Sequence, residues 1–139
     1  MSYELLDHTG DVGIAVRARD IETLFAEAAT AMFAILADAA EPRAAGTTAA
    51  MPHRETVPLP EAPTAEDLRE FLADLLFRFS AEHVMYIRFA SGSGVIETVW
   101  EPFDPGRHRL VTELKAVTYH QLRLERENEG WMAQVIFDV

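Results

Sequence analysis

Cysteine is absent from the chain. That excludes disulfides, thiolate zinc sites and cysteine nucleophiles, and it suits a reducing, cytoplasmic setting. Cations are scarce too: 12 Lys+Arg stand against 23 Asp+Glu, a formal net charge of −11. High-affinity binding to nucleic acid needs a basic face that releases counterions, so direct binding of that kind is not expected. An acidic surface suits metal ions or a basic protein partner, or simply keeps a domain in solution. No apolar run reaches the length of a membrane span, and no basic stretch leads into an apolar one at the N-terminus. Neither a membrane partner nor a signal peptide is expected.

What is present is the composition of an ordinary globular protein, with 49% hydrophobic and 25% charged residues. A length of 139 residues suits one domain, 1–139, large enough to bury a core. Alternation around Tyr3, Leu5 and Leu6, and again through Val12, Ile14 and Val16, predicts strands over 2–7 and 12–19. Asp20 then offers an N-cap, and Ile21, Leu24, Phe25, Ala28, Ala29, Met32, Phe33 and Leu36 recur at helical spacing. The helix is expected over about 21–37, with its Met and Phe stripe in the core. Residues 38–64 are rich in Ala, Thr and Pro, and the prolines forbid a long helix. An edge strand from His53 to Leu59 is the one element expected there, limited to an edge by Pro58.

Thr64 and Asp67 form a capping box opening a second helix, expected to end near Glu82, with Leu68, Phe71, Leu72, Leu75, Leu76 and Phe79 on one face. Val84–Ala90 and Val95–Glu101 flank Ser91-Gly92-Ser93-Gly94, a hairpin signal. Glu101–Arg109 reads as a polar loop. One strand is expected from Leu110 to about Leu124, bent near Thr118, and Glu127–Gly130 turns into a last strand, Trp131–Val139. This order predicts an α+β fold, a largely antiparallel sheet packed against two helices.

Two stretches carry candidate chemistry. Asp7-His8-Thr9-Gly10-Asp11 gathers two carboxylates, an imidazole and a hydroxyl where two strands meet. Strand ends hold side chains firmly and face solvent, as a metal or catalytic site requires. Asp, Thr and Gly are equally the residues of a plain turn. The second stretch is Phe137-Asp138-Val139, where Asp138 lies beside the terminal carboxylate at the end of a strand. Placed beside Asp11, these groups would form an oxygen-rich cluster selective for hard cations such as Mg²⁺, Ca²⁺ or Mn²⁺; otherwise they are a fraying terminus. Lys115 is an edge charge or a functional cation. His120 is a ligand, an orienting group or a hydrogen-bonded, half-buried residue. No activated nucleophile stands out.

Asp7-His8-Thr9-Gly10-Asp11-Val12-Gly13-Ile14, Glu101-Pro102-Phe103-Asp104 with His108-Arg109-Leu110, Lys115-Ala116-Val117-Thr118-Tyr119-His120, and Gly130-Trp131 running to Val135-Ile136-Phe137-Asp138-Val139 together resemble the archease family. The likeness spans essentially the whole chain, in order. It departs at Gly10, where the family usually has Ala, and in 38–64, which is more Ala- and Pro-rich. The resemblance implies a protein cofactor of RtcB-type RNA ligases, the GTP- and Mn²⁺-dependent enzymes of tRNA splicing and RNA repair. Such a protein promotes guanylylation of the ligase's active-site histidine and sustains turnover, without joining RNA itself. It further implies a divalent-metal site at Asp11, Asp138 and Val139. Asp7, His8, Lys115 and His120 would then serve as supporting or partner-contact groups. Two other classes use the same residues differently: a stand-alone metal-dependent hydrolase with His8 or His120 as general base, and a chaperone or adaptor without chemistry.

Overall fold

The computed structural model describes residues 2–8, 10–39 and 52–139, with the side chains of residues 2, 7, 8 and 39 outside that description. Strands β1 (Ser2–His8) and β2 (Asp11–Ala18) form an antiparallel hairpin in register from Ser2↔Arg17 to His8↔Asp11. Gly10 takes φ +78° in the connection, a left-handed conformation that glycine adopts without a Cβ penalty. Helix α1 (Ile21–Leu36) begins where the Asp20 carboxylate accepts the Thr23 N–H at 2.8 Å. It runs into β3 (Ala37–Ala39), and β4 (His53–Pro58) follows after the stretch outside the description.

Helix α2 (Ala65–Glu82) opens on the expected capping box, with Thr64 and Asp67 each bonding the other's backbone N–H. The remaining strands are β5 (Val84–Ser91), β6 (Val95–Pro102), β7 (His108–Leu110), β8 (Ala116–Val117), β9 (Arg123–Glu127) and β10 (Gly130–Asp138). Among the described residues the pairing is antiparallel throughout and divides into three sheets. The largest runs β1-β2-β10-β8, with β9 also on β10; β3 pairs β7; the third runs β4-β6-β5. As Pro58 requires, β4 is an edge strand, paired with β6 alone.

The helical stripes meet the sheets as expected. Leu24, Phe25, Met32, Leu68 and Leu72 of the helices, and Ile14, Val16, Val135 and Phe137 of the large sheet, are all fully buried. Burying each such side chain contributes about 1.5–3 kcal/mol before entropy is counted. Phe33 joins the helices to the three-stranded sheet, its ring 5.8 Å from Phe79, 5.4 Å from Tyr86 and 5.7 Å from Phe89.

Two expectations fail. The strand expected from Leu110 to Leu124 is broken into β7, β8 and β9. The backbone N–H groups of Val111 and Thr112 both donate to the Leu36 carbonyl at the end of α1, which draws this segment away from the large sheet. Leu114 is then buried, and only two residues return to pair with β10 before a turn with Gln121 at φ 52°. Nor is Glu101–Arg109 simply a polar loop, because Glu101 and His108 are each only 3% exposed. The expected α+β class, antiparallel pairing against two helices, holds, with the strands divided among three sheets.

Thr64→Ala should cost about 1 kcal/mol by loss of the cap, and Phe137→Ala about 3–5 kcal/mol by loss of packing. Both are checked by the urea-unfolding midpoint at unchanged slope.

Candidate functional site

The two stretches singled out in the sequence meet at one end of the large sheet. Strand β2 lies between β1 and β10, and Asp11 is the register partner of His8 on one side and of Asp138 on the other. Asp138 is in turn opposite Ala116 of β8. Across four strands the row therefore reads His8, Asp11, Asp138, Ala116. Asp7 is one residue along, opposite Val12; the side chains of Asp7 and His8, and all of Thr9, lie outside the described residues.

Cross-strand partners point to the same face, with Cβ atoms about 4.5–5.5 Å apart, so the Asp11 and Asp138 carboxylates are neighbours. Asp11 is half-buried, Asp138 is exposed, and Val139 just beyond is 39% exposed. The local sequence favours close seating of these strands. A Cβ at Gly13 would come within 2.6 Å of Ile136 Cδ1 and 2.9 Å of the Val135 carbonyl oxygen, so glycine lets β2 lie tightly on β10.

Lys115 falls outside the strands, in the break of the stretch expected as one strand from Leu110 to Leu124. It precedes β8, its side chain is exposed, and its backbone N–H donates to the Asp138 carbonyl at 2.7 Å. That bond fixes the backbone of the terminal Asp. Thr118 adds a second anchor, its N–H and hydroxyl both donating to the Ile136 carbonyl at 3.0 and 2.9 Å. The backbone N–H of His120 donates to the Thr118 hydroxyl at 3.1 Å, and its ring is exposed rather than half-buried. Lys115 and His120 thus flank the strand that borders Asp138.

Among the described residues, no group of three or more His, Cys, Asp or Glu side chains gathers as a metal-binding cluster. The donor set at the row is smaller: the carboxylates of Asp11 and Asp138, with the Val139 backbone carbonyl one residue beyond. These oxygen ligands fit a hard divalent cation whose remaining positions are filled by water. Like charges at paired positions also repel, which a cation would relieve.

A buried cluster between β6 and β7 holds residues for which the sequence suggested no role. Glu101 Oε2 lies 2.6 Å from His108 Nε2 and 3.1 Å from the Arg107 guanidinium, while His108 Nδ1 accepts the Asp104 N–H at 2.9 Å. With Nδ1 accepting, the ring proton sits on Nε2 and is donated to Glu101. The acid and the imidazole are both buried. The cluster ties β6 to β7 and closes the 102–108 connection. Its residues fall within the Glu101–Leu110 motif, which was the available signal.

A small protein of two helices against antiparallel sheets, with the acidic ends of β2 and β10 brought together, defines a compact class of α+β fold. The profile of the Archease protein family (MTH1598/TM1083) matches residues 3–139, and the chain belongs to that family. Protein archease of Methanosarcina acetivorans is 34% identical over 146 residues, covering 99% of this chain and 95% of that one. Protein archease of Methanopyrus kandleri is 31% identical over 148 residues, covering 100% of both. The solution structure of Methanobacterium thermoautotrophicum protein 1598 superposes with a TM-score of 0.66 at 26% identity, covering 99% and 98%. The crystal structure of an archease from Thermotoga maritima, described as a possible chaperone, shares the fold with a TM-score of 0.65 at 19% identity, covering 96% and 94%. No helix of the described residues is long and apolar enough to cross a membrane.

Replacing either carboxylate of the pair, as Asp11→Asn or Asp138→Asn, should stabilise the metal-free protein by about 0.2–1 kcal/mol at low salt by removing like-charge repulsion. The gain should shrink between about 0.01 M and about 1 M salt as screening sets in; urea unfolding at the two ionic strengths measures it.

Proposed function

We propose that this chain is an activator of an RtcB-type RNA ligase in tRNA splicing or RNA repair. It promotes guanylylation of the ligase's active-site histidine through a divalent-metal-binding tip of Asp11, Asp138 and Val139. The observation that supports this reading most directly is the pairing of Asp11 with Asp138 at an exposed sheet end. Membership of the family agrees with it.

When bound, the cation supplies positive charge that can be directed at a phosphate oxygen in the partner's nucleotide site. The chain's own residues do the positioning. The β2–β10 register sets the two carboxylates side by side, and the Lys115 N–H holds the Asp138 backbone. His8 and His120, with Lys115 and Asp7, border the tip as supporting or partner-contact groups. The protein itself joins no RNA, and its acidic balance suits docking against the basic surface of an RNA-handling enzyme. It acts either by offering the ion to the ligase or by favouring the ligase's guanylylation-competent conformation, a population shift. A chaperone or adaptor without chemistry is the second reading, favoured by the description of the Thermotoga maritima structure.

The test is guanylylation of the cognate ligase with GTP and Mn²⁺, with and without substoichiometric amounts of this protein. Wild type should stimulate, and Asp11→Ala should lower stimulation at least tenfold. Asp11 sits at a half-exposed strand end, so that variant should stay folded and shift its unfolding midpoint only by the small gain that relief of like-charge repulsion gives. Stimulation by both would leave the adaptor reading standing. Turnover of a phosphoester by the protein alone would revive the hydrolase. Titration of Ca²⁺ or Mn²⁺ into the free protein should raise the unfolding temperature of wild type and leave Asp11→Ala,Asp138→Ala unmoved.

A further inference from the structure

Strand β4 has a free side. It pairs with β6 alone, and its other edge meets no strand among the described residues. The register says which backbone groups lie there. The Leu59 N–H donates to the Gly94 carbonyl at 2.9 Å, in line with the pairs Val57↔Ile96 and Glu55↔Thr98. The Thr98 hydroxyl also donates to the Glu55 carbonyl, at 3.0 Å. Glu55, Val57 and Leu59 therefore turn their backbone groups toward β6, and the residues between them turn theirs outward. Arg54 and Thr56 bring two N–H donors to the free edge, beside the carbonyls of Arg54, Thr56 and Pro58. Pro58 falls at an outward position, where its missing N–H costs no ladder bond. An open edge of this kind is a template for one more strand.

Beside the C-terminal half of β4, a cleft of about 300 Å³ separates the strand from α2. Val57, Phe71, Leu75 and Tyr86 give it an apolar floor, the last three of them buried. Glu70 and Asp74 of α2 also line it; both are exposed, and neither has an ion pair among the described residues. Asp67 adds a third negative charge, with its carboxylate held by the Thr64 N–H of the cap at 2.8 Å. Arg78 also lines the cleft, but its guanidinium is already engaged. It donates to the Tyr86 hydroxyl at 2.6 Å and to Glu82 at 3.2 Å, and lies 3.6 Å from Glu55. Arg54, paired with Val99, projects to the opposite face of the sheet from Val57. The charge left open at this cleft is negative.

We propose that β4 and α2 together take up an extended basic segment of a partner protein, added as a fourth strand to the β4-β6-β5 sheet. Its main chain bonds the outward groups of Arg54, Thr56 and Pro58. In strand addition of this kind the backbone bonds give affinity and alternate side chains give specificity. The added strand lies about 4.8 Å beyond β4, and every second side chain points to the α2 side. Arg or Lys fits there, because its methylene stem covers the apolar floor while its charged head reaches Glu70 and Asp74. A carboxylate at the same place would meet like charges, and a short side chain would leave the floor uncovered. The groove thus selects the sign of its occupant. This surface belongs to a different sheet from the Asp11–Asp138 pair, so the proposal does not rest on the activator reading.

The test is direct binding of short, end-blocked peptides to the full chain. Three are compared: alternating Arg and Thr, alternating Glu and Thr, and the Arg-Thr peptide with every backbone amide N-methylated. Wild type should bind the Arg-Thr peptide at least tenfold more tightly than either of the others. Glu70→Gln,Asp74→Asn should weaken that binding fivefold or more. Thr56→Pro removes one outward donor and should do the same; if it fails to fold, the N-methylated peptide decides the backbone role alone. Glu129→Gln, which removes an acid from the turn between β9 and β10, should stay within twofold of wild type. Equal binding of the N-methylated peptide, or a smaller loss in Glu70→Gln,Asp74→Asn, would mean mere adsorption to an acidic protein and would overturn the proposal. So would no binding of the Arg-Thr peptide at millimolar concentration. Self-association of the chain that Thr56→Pro abolishes would give the edge to a second copy and would overturn it as well.

Discussion

The pairing of β2 with β10 is the constraint on which the rest depends. It joins the N-terminal hairpin to the last strand, supplies Ile14, Val16, Val135 and Phe137 to the core beneath the helices, and sets Asp11 opposite Asp138. Side chains alternate along a strand, so a slip of one residue would send this apolar set outward and the acids to opposite faces. The core therefore enforces the geometry of the tip. Apolar burial, worth far more than any exposed carboxylate pair, holds two like charges where they would not choose to sit. Gly13 makes the close seating of the strands feasible, since any Cβ there would collide with Ile136.

The helices and most strand ends were legible because local signals coincide with tertiary demand. Asp20 and Thr64 cap where the apolar periodicity begins, and the prolines mark an edge strand where β4 lies. The site was legible in part. Asp11 and Asp138 are chemically conspicuous at strand ends, but only the register shows that they are partners. Sequence alone could not foresee the break between β7 and β9, because it depends on Leu36 at the end of α1 offering its carbonyl to Val111 and Thr112. It also misjudged Glu101 and His108, which look like solvent-facing loop residues until Arg107 and the Asp104 N–H are seen to satisfy them. Burial of a charged group becomes acceptable only through partners, and partners are a property of the fold.

Two clusters of polar side chains thus use opposite solutions to charge. Glu101, His108 and Arg107 are closed off and paired, and their effect stays local to the connection between β6 and β7. Asp11 and Asp138 are left facing solvent, with their backbone fixed and their charge uncompensated by any neighbouring cation whose contact is observed. The first arrangement consumes its interactions internally. The second keeps them available to whatever approaches the sheet edge.

Because β10 lies between β2 and the pair β8 and β9, the last strand among the described residues occupies a central place in the sheet. Its pairing with β9 is a local hairpin, whereas its pairing with β2 closes a loop containing nearly every other element and carries the entropy of that closure. Until that long-range pairing forms, Asp11 lacks the strand that carries the other half of the acidic row. Formation of the β2–β10 pairing and completion of the acidic row are consequently one event.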